Sequence, residues 1–213
     1  MLLDIDADAT PGHGAHPLQL ALDVQSVMGD DDWLVIDGGN THFWSEIAVN
    51  IAGWQGKNLG GILHPGSFSM LGVGVSFALA SKLRFPASNA VVISGDGAFL
   101  SGGLSIETAF QENLPITVVI DNNGGLTTIS QQQEHLFENG QHVATDFRDI
   151  PFHTLFEGLG GYGELVEKPE EVAPAVRRAI ASGKTACINV RTRGVISPIV
   201  AAVTSRRDKA SIE

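Results

Sequence analysis

Two apolar patterns alternate along the chain. Short runs rich in β-branched residues, WLVID at 33–37, AVVIS at 90–94, PITVVID at 115–121, residues 162–166 and TACINV at 185–190, read as strands. Between them, apolar residues recur at helical spacing in HPLQLALDVQSVMG (16–29), THFWSEIAVNIAG (41–53) and the stretches 103–113, 150–159 and 169–182. SFSMLGVGVSFALASKL (67–83) is apolar nearly all round and reads as a buried helix whose small residues let other backbone or a ligand approach. Residues 124 to about 146 are polar and read as a long loop. Apolar strands alternating with helices predict an α/β fold, a three-layer sandwich whose mainly parallel central sheet carries helices on both faces. One domain over 16–195 is expected. An acidic, Pro/Gly-rich arm (1–15) precedes it and a C-terminal tail (196–213) follows.

Composition narrows the function classes. The chain has 213 residues, enough for one sizeable α/β core and short for two. No apolar run reaches the ~20 residues of a membrane span, and MLLDIDADATPGHG lacks the basic start of a signal peptide, so a cytoplasmic protein with no membrane role is expected. The formal net charge of −11 repels nucleic acid and anionic membranes, which argues against both as partners. A phosphate ligand stays compatible with that charge if local donors or a bound cation hold it. The single cysteine, Cys187, excludes an intrachain disulfide and reads as a small buried strand residue.

Ligands of parallel α/β sheets gather at the carboxyl ends of the strands. Asp37, Asp96 and the pair Asn122-Asn123 all fall there. Asp96 stands between Gly95 and Gly97 with a helix about to begin, so backbone N–H groups at Gly97 and Ala98 could face an anion. A carboxylate cannot bind phosphate directly, and a cation between them resolves the conflict. Mg2+ fits, since it takes six oxygens from one or two carboxylates, substrate phosphates and water. Asp96, the Asn123 amide and the Gly125 carbonyl are the candidate protein ligands. Each of these turns alone is commonplace. One helix and one strand apart, they form a pattern.

GDG, a helix, a strand and then NN resembles the diphosphate-binding motif of thiamine-diphosphate enzymes. The similarity runs over roughly residues 16–195 and is to the C-terminal diphosphate-binding domain of the acetolactate synthase, pyruvate oxidase and benzaldehyde lyase group. VIDGGNTHFW resembles that group's first strand and diphosphate loop, SFSMLGVGVSFALASKL its helix near the thiazolium ring, and TACINV its last strand. The resemblance implies thiamine diphosphate and Mg2+ as cofactors, with Asp96, Asn123 and Gly125 on the metal. It places Gly38, Gly39, Asn40, Gly95, Gly97 and Ala98 around the diphosphate. Leu71, beside Met70, matches the apolar wedge that holds the cofactor bent, and Ser69 the residue whose carbonyl accepts from the aminopyrimidine. A plain core leucine is an equal reading of Leu71 from the residues themselves.

In that group an acidic residue on a separate pyrimidine-binding domain activates the cofactor, and no second unit is visible here. The expectation is therefore one subunit of a split enzyme, a hetero-oligomer of heterotetramer type whose partner supplies the pyrimidine-binding domain and its glutamate; an excised fragment of a longer chain is the alternative. The implied chemistry makes or breaks a C–C bond beside a carbonyl, as a carboligase, lyase or decarboxylase of 2-oxo acids or 2-hydroxy-carbonyl and acyl-CoA compounds. Two rival classes stand beside it: a non-catalytic assembly or regulatory subunit, and a dinucleotide-binding oxidoreductase. For the latter, GVGVSF (72–77) ends in Phe77 and follows a loop where the fingerprint must leave a strand. SGKT at 182–185 lacks the first glycine of a phosphate loop, and GVSFA at 74–78 lacks the last glycine of a nucleophile elbow. The seven histidines show no zinc-ligand spacing; His42 and His64 flank loops expected to face the cofactor. Arg191 and Arg193 near the tail read either as a solvated basic patch or as a hold for an anionic group.

Overall fold

The computed structural model describes residues 14–202. In chain order the elements are α1 (Pro17–Val27), β1 (Trp33–Asp37), α2 (Asn40–Trp54), β2 (Gly61–Leu63), α3 (Gly74–Arg84), β3 (Ala90–Gly95), α4 (Asp96–Gly102), α5 (Ile106–Gln111), β4 (Thr117–Asn122), α6 (Thr127–Leu136), α7 (Phe152–Gly158), β5 (Tyr162–Val166), α8 (Val172–Ala181) and β6 (Ala186–Arg191). The six strands pair in parallel in the order β2-β1-β3-β4-β6-β5.

Strand residues alternate between two cores because successive side chains point to opposite faces. Val91 and Ile93 of β3 join Leu34, Ile36, Val119, Ile188 and residues of α1, α2 and α8. Val92 joins Val35, Val118, Ile120 and Cys187 with Val75, Ala78, Phe99, Ile106, Phe152 and Phe156 on the other face. β3 and β4 are buried at every position, as expected of central parallel strands covered on both sides. Cys187 is wholly buried, and burial pushes its thiol well up. The three-layer α/β arrangement is therefore the one the strand and helix patterns predict.

Local details differ from these expectations. The helix expected over 67–83 starts only at Gly74, because Ser69 (φ 47°) and Gly72 (φ 87°) adopt left-handed backbone and a short 3-10 turn, Gly66–Phe68, stands where its first turn would be. The polar segment 124–146 contains α6, which buries Thr127 and Ser130 rather than an apolar stripe and so lacks the periodic signal. The helix expected over 103–113 is present as a 3-10 turn, Gly103–Ser105, running into α5, and a separate helix, α4, precedes it directly after β3. The three-residue edge strand β2 is too short to carry a pattern. At the chain's flanks, Ala15 is buried and bridges Thr192, while Ser197 and Val200 pack inside; residues 1–13 and 203–213 of the expected arm and tail lie outside the described residues.

Gly72 and Gly102 cross backbone to backbone. A Cβ on Gly102 would lie 2.0 Å from the Gly72 carbonyl oxygen, so neither position has room for a side chain. This contact fixes the 69–72 loop against the end of α4. Gly102→Ala is expected to lower stability by about 2–3 kcal/mol in urea unfolding. Gly53→Ala, in α2 with nothing within 4 Å of the new methyl, is expected to be neutral or to raise stability by up to about 1 kcal/mol.

Candidate functional site

The sheet order puts a switch between β1 and β3: from β1 the chain moves outward to β2 and returns on the other side of β1 as β3. Such a point opens a crevice at the carboxyl ends of the strands. The loop at Gly38 (φ 130°) and the turn at Gly95 close on one another there, since a Cβ on Gly38 would lie 3.3 Å from the Gly95 nitrogen. Gly39 caps the start of α2 without a side-chain bond.

Asp96 is the centre of the crevice. It is 3% exposed. Its Oδ1 accepts from Gly97 N–H (2.7 Å), and its Oδ2 accepts from Gly124 N–H (2.8 Å) and Gly125 N–H (3.0 Å). The carboxylate thus ties the end of β3 to the turn after β4 and fixes Gly125 beside it. The Gly97 N–H, expected to face an anion, is turned to the Asp96 side chain instead. Burial, followed by the charge of Asp121, pushes the Asp96 carboxyl up to about 7 against the pull of those three N–H groups.

The two asparagines divide their work. Asn122 donates to Asn189 Oδ1 (3.0 Å) and so belongs to the β4–β6 packing. Asn123 keeps a buried side-chain oxygen with no hydrogen-bond partner. A buried orphan oxygen costs free energy unless something absent from the protein pairs with it. An oxygen acceptor next in chain to the turn that grips a raised carboxyl fits a hard cation. A second orphan, Thr128 Oγ1 on α6, lies by the loop after β1: a Cβ on Gly39 would sit 3.5 Å from it. Reading 124–146 as loop hid Thr128 from the sequence.

Asp121 was also missed. Fully buried at the end of β4, it accepts from Thr41 Oγ1 of α2 (2.7 Å) and from Thr192 Oγ1 after β6. Burial raises its carboxyl, which the two hydroxyls oppose. The signal was present: an acid inside an otherwise apolar strand must be paired.

The second wall is held by Asp37. Its carboxylate accepts from Gly72 N–H (3.1 Å) and Gly74 N–H (2.8 Å), pinning the loop that carries Ser69, Met70 and Leu71. Burial raises this carboxyl while the N–H groups of Gly74, Gly72 and Gly38 and the nearby His42 lower it. Met70 is 61% and Leu71 39% exposed, with Phe68 beside them at 92%, so Leu71 is not a core leucine. Asn40 spends its side chain elsewhere, donating to the Val195 carbonyl (2.6 Å) and accepting from Ser197 N–H (2.8 Å). The GVGVSF glycines lie in this loop and in α3, which no strand enters, so the dinucleotide fingerprint has no structural basis here.

Residues 37–190 match the model of the thiamine pyrophosphate enzyme family, C-terminal TPP-binding domain. The chain belongs to that family. This thiamine-diphosphate (TPP) domain is 35% identical over 179 residues to an acetolactate synthase large subunit of Mycobacterium tuberculosis, covering 83% of the chain and 31% of the relative. It is 31% identical over 158 residues to 2-hydroxyacyl-CoA lyase 2 of Bos taurus, covering 73% and 24%. Among solved structures, a thiamine diphosphate-dependent 4-hydroxybenzoylformate decarboxylase of Rhodococcus jostii RHA1 superimposes with a TM-score of 0.72 at 27% identity, over 90% of this chain and 35% of that one. The chain therefore spans about a third or less of these proteins. Thiamine diphosphate is the cofactor of the family, with Mg2+ its typical metal.

The raised Asp96 carboxyl sets a pH dependence of the metal-free TPP domain. Its folded pKa of about 7 lies above the unfolded value, so the folded state binds more protons between about pH 4 and 7, and the Asp96 contribution to stability falls as pH rises through that window. The melting temperature without metal should fall from pH 5 to pH 8. Asp96→Asn should flatten the slope without abolishing it, because Asp121 acts in the same direction. An equally steep profile in Asp96→Asn would contradict the assignment.

Proposed function

We propose that this TPP domain is the diphosphate- and Mg2+-holding subunit of a split enzyme that makes or breaks a C–C bond beside a carbonyl. The observation carrying this reading is the pairing of an orphaned buried Asn123 oxygen with the Asp96 carboxylate aimed by Gly124 and Gly125. Asp96, Asn123 and the Gly125 carbonyl hold Mg2+, and the cation neutralises the diphosphate in an acidic chain. Backbone around Gly38, Gly39, Asn40, Gly95 and Ala98 would line the diphosphate, with the Thr128 hydroxyl as a further donor, while the Gly97 N–H stays on Asp96. Leu71, with Met70, would support the cofactor's rings, and the Ser69 carbonyl would be an acceptor for them. When bound, the cofactor supplies an electron sink for the bond that breaks next to the carbonyl.

One observation supports a partner: the rim that carries Leu71 exposes Phe68 and Met70 to solvent. A pyrimidine-binding subunit that brings its activating glutamate covers that rim in a cytoplasmic hetero-oligomer, a heterotetramer in the simplest form. The synthase, lyase and decarboxylase named among the similar proteins favour substrates of the 2-oxo acid and 2-hydroxyacyl-CoA classes.

The test is turnover of 2-oxo acids and 2-hydroxyacyl-CoA compounds by the chain alone and after co-expression with pyrimidine-binding subunits of the same genome. Cofactor- and Mg2+-dependent activity should appear only in the mixture, and Asn123→Ala should reduce it by about 100-fold or more. Full activity of the chain alone would sink the split-enzyme reading. Unchanged Mg2+ dependence in Asn123→Ala would sink the ligand assignment.

A further inference from the structure

On the outer side of the β1 loop a second set of ligand groups converges. His42 and Glu46 stand one turn apart on α2, with His42 Nε2 2.9 Å from Glu46 Oε1. His64 reaches the same point from a different element, just after β2, and its ring centroid lies 5.2 Å from that of His42, tilted by 57°. One ligand atom from each of the three lies within 4.8 Å of the others. An i,i+4 pair on a helix is ordinary by itself. The third group, delivered from the sheet edge, is what a simple helix pair does not explain. Spacing between histidines could not reveal the set, because one member is a glutamate and the other two meet only once β2 pairs with β1.

We propose that His42, Glu46 and His64 form a binding site for a transition-metal cation of the Zn2+ class, with a fourth position open to water or a small ligand. Two imidazoles and one carboxylate are the three-ligand set such ions accept. Mg2+ and Ca2+ prefer all-oxygen shells, so this site and the Asp96 site select different ions. Metal–nitrogen bonds of ~2.0–2.1 Å in tetrahedral geometry put donor atoms ~3.3 Å apart. The His42–Glu46 pair is already that close, and His64 has to approach by roughly 1.5 Å.

That approach is cheap. His64 is exposed and tied down by a single solvent-facing hydrogen bond, from Gly66 N–H to its Nδ1 (3.2 Å). His42, by contrast, is buried, so two of the groups are a fixed base and the third closes on it. An open groove of about 410 Å3, lined by Ile36, Glu46, Val49, Asn50, Ile62 and His64, gives the ion its entry. A bound ion takes the place of the hydrogen bond between His42 and Glu46. It also ties α2 to the segment leading through Gly66–Phe68 to Leu71, bracing the second wall of the cofactor crevice.

The site is tested on the untagged full chain, stripped of metal, by titrating Zn2+ against a chromophoric chelator and Co2+ by visible absorption. One equivalent of Zn2+ should compete with the chelator and Co2+ should give the intense bands of a four-coordinate site, with excess Mg2+ displacing neither. His64→Gln and Glu46→Gln should each weaken binding about 10-fold or more, while Asp96→Asn leaves it unchanged. Because His64 is exposed, His64→Gln should melt like the parent chain without metal, which separates loss of a ligand from loss of fold. Absence of a stoichiometric Zn2+ site, or binding by His64→Gln equal to that of the parent, would overturn the proposal.

Discussion

Three backbone N–H groups on one buried carboxylate organise the cofactor end of this protein. Asp96 holds Gly97 at the start of α4 and Gly124 and Gly125 in the turn after β4, so a single side chain sets the spacing between neighbouring strand ends. The same burial makes its charge costly. Asp121, buried on the next strand, raises that cost further, and an acidic chain offers no compensating field. In the proposed site a cation is the missing term: it would lower the cost of the carboxylate, satisfy the orphan oxygen of Asn123 and present a positive surface to a diphosphate. Structure and ligand chemistry are thus the same constraint seen from two sides.

The surrounding network repeats this logic with neutral partners. Asp121 is reconciled to its strand by the hydroxyls of Thr41 and Thr192, which fasten α2 and the segment after β6 to β4. Asp37 is reconciled by the N–H groups of Gly72 and Gly74. Each of these acids fixes one wall of the crevice, and burial raises the carboxyl of all three.

Much of this was legible in the sequence because it rests on local pattern. The strands at 33–37 and 90–95 and the helices packed on them follow from periodicity, and the family from GDG and NN at a fixed separation. What escaped depended on tertiary geometry. Thr128 lies on a helix whose buried face is polar, so no apolar stripe announced it. The loop at Ser69–Leu71 looked helical because its composition is apolar, whereas the Gly72–Gly102 crossing and the left-handed Ser69 decide its path. The choice of Asn123 over its neighbour was made in the sequence, but the task of Asn122, a hydrogen bond to Asn189 across β4 and β6, shows only in the fold.

The central claim is that the proposed cation site includes the raised Asp96 carboxyl. Calorimetric titration of the preformed Mg2+ complex of thiamine diphosphate, in two buffers of different ionisation enthalpy, counts the protons exchanged on binding. With the Asp96 carboxyl at about 7, release of roughly half a proton per site is expected at pH 7, fading toward zero by about pH 9. Binding with no proton release at pH 7, or release independent of pH, would contradict the account.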